Sequence, residues 1–194
     1  GSVTSIWNST TLVAGLGDIG SEYAKRMKAL GSHVIGIRRN VVDKPDFIDE
    51  IYTMDQLDEV LPKVDFAVFI LPSTPATHHI MDERRLCLMK PGSYLINAGR
   101  GDAVDCDALN KVLREGVSLA GCALDVTEPE PLPADHPLWD APRAIITPHS
   151  AGKFHLQETF ERIVRITGEN LEKYLSGEKN QMRNQVDVKT GNRK

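Results

Sequence analysis

The apolar run Thr11-Leu12-Val13-Ala14 passes without a break into Gly15-Leu16-Gly17-Asp18-Ile19-Gly20, after which Ile19, Tyr23, Met27 and Leu30 recur at helical spacing up to Gly31. A strand, a glycine turn and a helix in that order leave few folds open. Glycines at this spacing permit a tight turn and let a ligand approach the backbone closely. The N–H groups of Asp18 and Ile19, at the start of the helix, are then available to an anion. The motif is read as a dinucleotide loop in which Gly15, Gly17, Asp18, Ile19 and Gly20 border a pyrophosphate.

The rest of the chain keeps the same alternation. Apolar runs predict strands at 33–37, 50–53, 66–71, 94–97, 119–126 and 144–147. Helices are predicted at 55–61 and 84–89, through Ala108, Leu109, Val112 and Leu113, and along a last stripe of Phe160, Ile163, Val164, Leu171 and Tyr174 that stops at Ser176-Gly177. Strands and helices in turn predict an α/β fold: a Rossmann-type doubly wound parallel sheet with helices on both faces. It is expected to be a dinucleotide-binding domain over residues 3–177, with a loose polar tail at 178–194. Residues 128–142, rich in proline, read as a long loop of the kind that often carries function.

Composition narrows the classes. A chain of 194 residues fits one sizeable domain, and its 41% hydrophobic and 26% charged content is that of a soluble globular protein. Lys and Arg number 23 against 27 Asp and Glu, a net charge of −4, which argues against a nucleic-acid partner. The longest apolar run, Phe66 to Leu71, falls far short of the ~20 residues needed to cross a bilayer, so no membrane association is expected. Cys87, Cys106 and Cys122 are odd in number and lack CxxC spacing; no disulfide framework and no metal site is expected, and a cytoplasmic home fits. His78, His79 and His136 have no spaced partners and read as solvated surface.

At the end of the second strand, where an acid would receive the ribose 2′-hydroxyl of NAD, the chain has Ile37-Arg38-Arg39-Asn40. A guanidinium there can pair with a 2′-phosphate, so NADP(H) is expected to be preferred, with NAD(H) also a possible ligand. A hydrogen bond to a charged group is worth ~1.5–3 kcal/mol, or roughly a 10- to 150-fold preference. The alternative is that Arg38 and Arg39 are solvated strand-end charges or stack on adenine.

Three further segments follow successive strands: Asn97-Ala98-Gly99-Arg100-Gly101, then Asp125-Val126-Thr127-Glu128-Pro129-Glu130-Pro131, then Thr147-Pro148-His149-Ser150-Ala151-Gly152. Taken singly, Arg100 could tie loops together, Glu130 could be a surface acid and His149 a structural histidine. In this order they resemble the nucleotide-binding domain of the D-isomer-specific 2-hydroxyacid dehydrogenases, a family that includes glyoxylate/hydroxypyruvate reductases. The resemblance implies that Arg100 binds the substrate carboxylate, His149 is the acid-base residue and Glu130 is its partner, although Glu128 and Glu130 both directly precede a proline. It implies further that Asp125 meets the nicotinamide carboxamide and that Leu71, Pro72, Thr77, Ala98, Gly99, His149, Ala151 and Gly152 line the cofactor cleft. The partner so implied is a small 2-oxo or 2-hydroxy acid, and the family suggests a homodimer.

The family's substrate domain is built mainly from an N-terminal segment, and little chain precedes the first strand here. That domain is therefore expected to be absent, leaving the cofactor-binding half of a hydride-transferring oxidoreductase, of low activity by itself. The alternative is a dinucleotide-sensing module like the transcriptional corepressors that share the fold and the Arg/Glu/His set.

Overall fold

The computed structural model describes residues 4–40, 43–152 and 156–188. Seven strands form one parallel sheet: β1 (Thr10–Ala14), β2 (His33–Ile37), β3 (Glu50–Tyr52), β4 (Phe66–Phe69), β5 (Ser93–Asn97), β6 (Leu119–Leu124) and β7 (Ala144–Ile146). Their spatial order is β3-β2-β1-β4-β5-β6-β7. The order reverses between β1 and β4, so a crevice opens at the carboxyl ends of those strands.

Parallel strands are covered on both faces, which is why they read as unbroken apolar runs. In β1, Leu12 and Ala14 join one core while Val13 points into the other. Helix α1 (Asp18–Ala29) covers Val13 and Val34 with Ala24 and Met27. On the opposite face lie α2 (Leu57–Val60), α3 (Glu83–Leu88) and α4 (Cys106–Glu115), which contribute Leu57, Leu86, Leu109 and Val112. Helix α4 is bounded by its chemistry: the Asp105 side chain accepts the Ala108 N–H at 3.0 Å, and Gly116 ends the helix at φ +66°.

The predicted strands at 66–71 and 119–126 end early, at Phe69 and Leu124. The Ile70 N–H still donates to the Ala14 carbonyl at 2.9 Å, and beyond it the backbone of Ile70 and Leu71 runs close against two glycines. A Cβ on Gly15 would meet the Ile70 carbonyl oxygen at 2.3 Å, and one on Gly99 would meet the Leu71 nitrogen at 2.6 Å. The proline-rich stretch at 128–142 is less loop-like than expected. A 3₁₀ turn at Pro137–Asp140 breaks it, and Leu132, Leu138 and Ala141 are buried.

The chain divides into two compact units, 1–151 and 152–194, where the sequence predicts one domain over 3–177. The second unit holds α5 (Gln157–Leu175). Its tail is not loose as expected over the described residues. Asn170 Oδ1 accepts the Arg183 N–H at 2.7 Å, Asn170 Nδ2 donates to the Arg183 carbonyl at 3.0 Å, and Lys173 Nζ donates to the Gln181 carbonyl at 2.8 Å. A polar segment folds back here because α5 offers side chains that satisfy its backbone. All three cysteines are free, and no helix among the described residues is long and apolar enough to cross a membrane.

Candidate functional site

The three loop glycines do different work. Gly15 sits at φ +100° against Ile70, and a Cβ on Gly20 would lie 1.9 Å from the Gly15 carbonyl oxygen. Both must be glycine for the strand and helix to pack. Gly17, the residue before α1, has open space where a Cβ would stand. A phosphate brought against the start of α1 would find room there. Asp18 lies in the first turn beside the exposed Ile19.

A cavity of about 270 Å³ opens against this loop, lined by Gly15, Arg38, Arg39, Leu71, Pro72 and Thr77 among others, with no acidic residue among its described lining residues. The Arg38 backbone is fixed by its N–H donating to the Tyr52 carbonyl at 3.1 Å. Thr77 is buried, donating its hydroxyl to the Pro72 carbonyl at 2.7 Å and accepting the Thr74 N–H at 3.0 Å. Thr77 thus shapes the loop after β4 as well as the cavity wall.

After β5, the turn that presents Arg100 is closed by a residue the sequence reading did not single out. Asn97 is fully buried; its Oδ1 accepts the Gly99 N–H at 3.1 Å and its Nδ2 donates to the Arg100 carbonyl at 2.9 Å. An Asn ending an apolar strand was the available signal, since a buried amide needs partners. Ala98 continues the ladder to Phe69 at 3.1 Å, and Gly99 lies against Leu71. The exposed Arg100 guanidinium donates to the Gly99 carbonyl at 2.8 Å, and no acidic side chain pairs with it among the described residues.

After β6 and β7 the chain brings Glu130 to His149, Nδ1 lying 2.6 Å from Glu130 Oε1. His149 has φ +49°, a left-handed conformation sparsely used by non-glycine residues. Asp125 holds that turn, accepting from the Thr147 hydroxyl at 2.5 Å and from the N–H groups of Ser150 and Ala151 at 2.9 Å each. Burial pushes the Asp125 carboxyl up, but those three hydrogen bonds and the neighbouring His149 outweigh it and hold the group below the usual aspartate value. A cavity of about 260 Å³ is lined by Asp125, Glu130, Trp139, Thr147 and His149 among others. Trp139 was also not foreseen. Gly152 follows Ala151 as the first residue of the second unit.

Three histidines depart from expectation. His79 Nε2 lies 2.8 Å and His78 Nε2 3.4 Å from Glu128 Oε2, so these two are not partnerless surface groups. The His136 side chain is only 12% exposed, and its Nδ1 accepts the Leu138 N–H at 3.1 Å, capping the 3₁₀ turn. The partner of His78 and His79, Glu128, sits on a distant loop that linear spacing does not reveal.

The chain matches the D-isomer specific 2-hydroxyacid dehydrogenase, NAD binding domain, over residues 2–151, and it belongs to that family. It is 39% identical over 189 residues to an uncharacterized protein in the proB 3′ region of Corynebacterium melassecola, covering 95% of this chain and 59% of that protein. It is 35% identical over 176 residues to a glyoxylate reductase of Korarchaeum cryptofilum, covering 89% of this chain and 51% of that one. Among solved structures, the NADPH-dependent glyoxylate/hydroxypyruvate reductase of Sinorhizobium meliloti, in complex with NADP and sulfate, superposes with a TM-score of 0.86 at 28% identity, covering 98% of this chain and 59% of that one. The chain therefore spans little more than half the length of these relatives.

Proposed function

We propose that this chain is the cofactor-binding and acid-base half of an NADP(H)-preferring oxidoreductase that interconverts a small 2-oxo acid, of the glyoxylate or hydroxypyruvate type, with its 2-hydroxy acid. The observation that carries the reading is the 2.6 Å contact between His149 Nδ1 and Glu130 Oε1 on the wall of a cavity. A carboxylate on Nδ1 fixes the ring's orientation, leaving Nε2 to act on substrate.

In this mechanism the planar guanidinium of Arg100 holds the substrate carboxylate by paired charge-assisted hydrogen bonds. His149 Nε2 donates a proton to the carbonyl oxygen during reduction and removes it from the hydroxyl during oxidation. A bound dinucleotide supplies the hydride, or accepts it in reverse. Asp125 keeps the His149 turn in place and has lone pairs left for the nicotinamide carboxamide. Gly17 and the start of α1 receive the pyrophosphate, and Arg38 with Arg39 receives the 2′-phosphate. The acid-free wall beside those arginines and the NADP complex of the Sinorhizobium reductase support that cofactor preference.

The test is turnover of the full-length protein with NADPH and NADH against a panel of 2-oxo acids. Reduction of glyoxylate or hydroxypyruvate, faster with NADPH, is expected. Dinucleotide binding with no turnover on any 2-oxo acid would favour a sensing module instead.

A further inference from the structure

Outside the proposed catalytic set, the loop after β4 and the loop after β6 meet at a second cluster of chemistry-bearing side chains. The imidazole rings of His78 and His79 are stacked, with centroids 4.0 Å apart and planes at 23°. Both Nε2 atoms face one oxygen, Glu128 Oε2, at 3.4 and 2.8 Å. Ligand atoms from all three residues fall within 4.8 Å of one another. We propose that His78, His79 and Glu128 form a binding site for a divalent transition-metal ion of the zinc class.

The separations suit such an ion. Ligands about 2.0–2.2 Å from a tetrahedral zinc stand roughly 3.4 Å from each other; the two imidazole–carboxylate separations here are 3.4 and 2.8 Å and all three donors lie within 4.8 Å, so rotation of the stacked rings brings them onto one ion. The donor set, two imidazole nitrogens and one carboxylate oxygen, selects zinc or its neighbours over magnesium or calcium, which take oxygen ligands. Three protein ligands leave a fourth position for water. The side chains are 50%, 39% and 39% exposed, which gives a hydrated cation a way in.

The frame is already fixed. His79 adopts φ +46° and its N–H donates to the Asp102 carbonyl at 2.6 Å, so the loop after β5 holds the histidine in place. The other nitrogen of His79, Nδ1, faces Asp105 Oδ2 at 3.9 Å. That separation is beyond hydrogen-bond range, but it leaves an anchored carboxylate, the cap of α4, behind the ring. Glu128 lies two residues before Glu130, so an ion here would tie the loop after β4 to the loop that carries the proposed partner of His149.

Calorimetric titration of the chelator-treated protein with Zn²⁺ tests the site, with Co²⁺ absorption as a second readout and Mg²⁺ as a control. One equivalent of Zn²⁺ is expected to bind in the micromolar range or tighter, Mg²⁺ not at all, and Co²⁺ to give visible bands of a tetrahedral centre. His78→Ala, His79→Ala and Glu128→Gln should each weaken Zn²⁺ at least tenfold and abolish the Co²⁺ bands. Glu128→Gln is nearly isosteric and His78 is half exposed, so circular dichroism and dinucleotide titration of these two should match wild type. The controls His33→Ala and His149→Ala should leave Zn²⁺ affinity unchanged. No stoichiometric binding, binding unaltered in the three variants, or binding lost in a control variant would each overturn the proposal.

Discussion

Asp125 holds the backbone of His149 from two sides. The His149 N–H donates to the Asp125 carbonyl at 2.8 Å, and the next two N–H groups, of Ser150 and Ala151, donate to the Asp125 carboxylate at 2.9 Å each. A residue at positive φ costs on the order of 1–3 kcal/mol and persists only where its surroundings over-determine it. Asp125 supplies that constraint, and the Thr147 hydroxyl orients Asp125 in turn.

This arrangement gives a pH dependence with a definite sign. The Asp125 carboxyl is held below its ordinary value of 3.8, so the unfolded chain takes up the proton first as pH falls. The stabilisation is complete above the ordinary value and is lost as pH drops through the lower folded value. Thermal unfolding should therefore show wild type above Asp125→Asn at neutral pH, with the gap closing as the solution is acidified below about 4. A gap that stays constant into strong acid would contradict the role given to the carboxylate.

The loop glycines separate folding from binding. Gly17→Ala introduces a methyl into open space, so its melting temperature should stay near wild type while dinucleotide affinity falls. Gly20→Ala forces a Cβ onto the Gly15 carbonyl and should lower both stability, by about 1–3 kcal/mol, and affinity. Melting curves with parallel fluorescence titrations check this; undiminished affinity in Gly17→Ala would remove the pyrophosphate from that position.

Arg38→Asp combined with Arg39→Ala should weaken NADPH roughly 10- to 150-fold and NADH far less, because only NADPH brings a 2′-phosphate. Added salt should likewise weaken NADPH more than NADH in wild type. Equal losses for the two cofactors would place the arginines elsewhere in recognition.

Much of this was legible in the residues. Strands buried on both faces leave apolar runs, and Gly15 and Gly20 are required by close contacts that only glycine allows, so the sheet and its first loop could be read directly. Glu128 and Glu130 both precede a proline, so the residues alone do not separate them; in the structure Glu130 lies against His149 and Glu128 against His78 and His79. The partners of those two histidines were invisible because His79 and Glu128 are 49 residues apart, joined only when the β4 and β6 loops meet. The apolar run continues through Ile70 and Leu71 while the strand ends at Phe69, because apolar character does not mark where the chain turns to pass Gly15 and Gly99. Polar composition at 178–188 does not disclose that Asn170 and Lys173 offer hydrogen-bond partners to Gln181 and Arg183.

Arg100 and His149 should fail in different ways in the full-length protein. Arg100→Ala should raise KM for the 2-oxo acid steeply, with cofactor affinity unchanged, since a charge-assisted bidentate contact is lost. Arg100→Lys should recover only part of the loss, because an ammonium cannot reproduce the planar fork. Steady-state kinetics over both substrates separate these effects; an unaltered KM in Arg100→Ala would remove the carboxylate from its site.

The most direct measurement pairs NADPH titration with glyoxylate and hydroxypyruvate turnover in full-length wild type, His149→Ala and Glu130→Gln. Proton transfer by a positioned side chain contributes roughly 10²- to 10⁴-fold, so His149→Ala should lose activity by at least that order while binding NADPH within about twofold of wild type. Glu130→Gln should fall between the two. Turnover in His149→Ala close to wild type, with NADPH bound normally, would contradict the assignment of proton transfer to the His149–Glu130 pair.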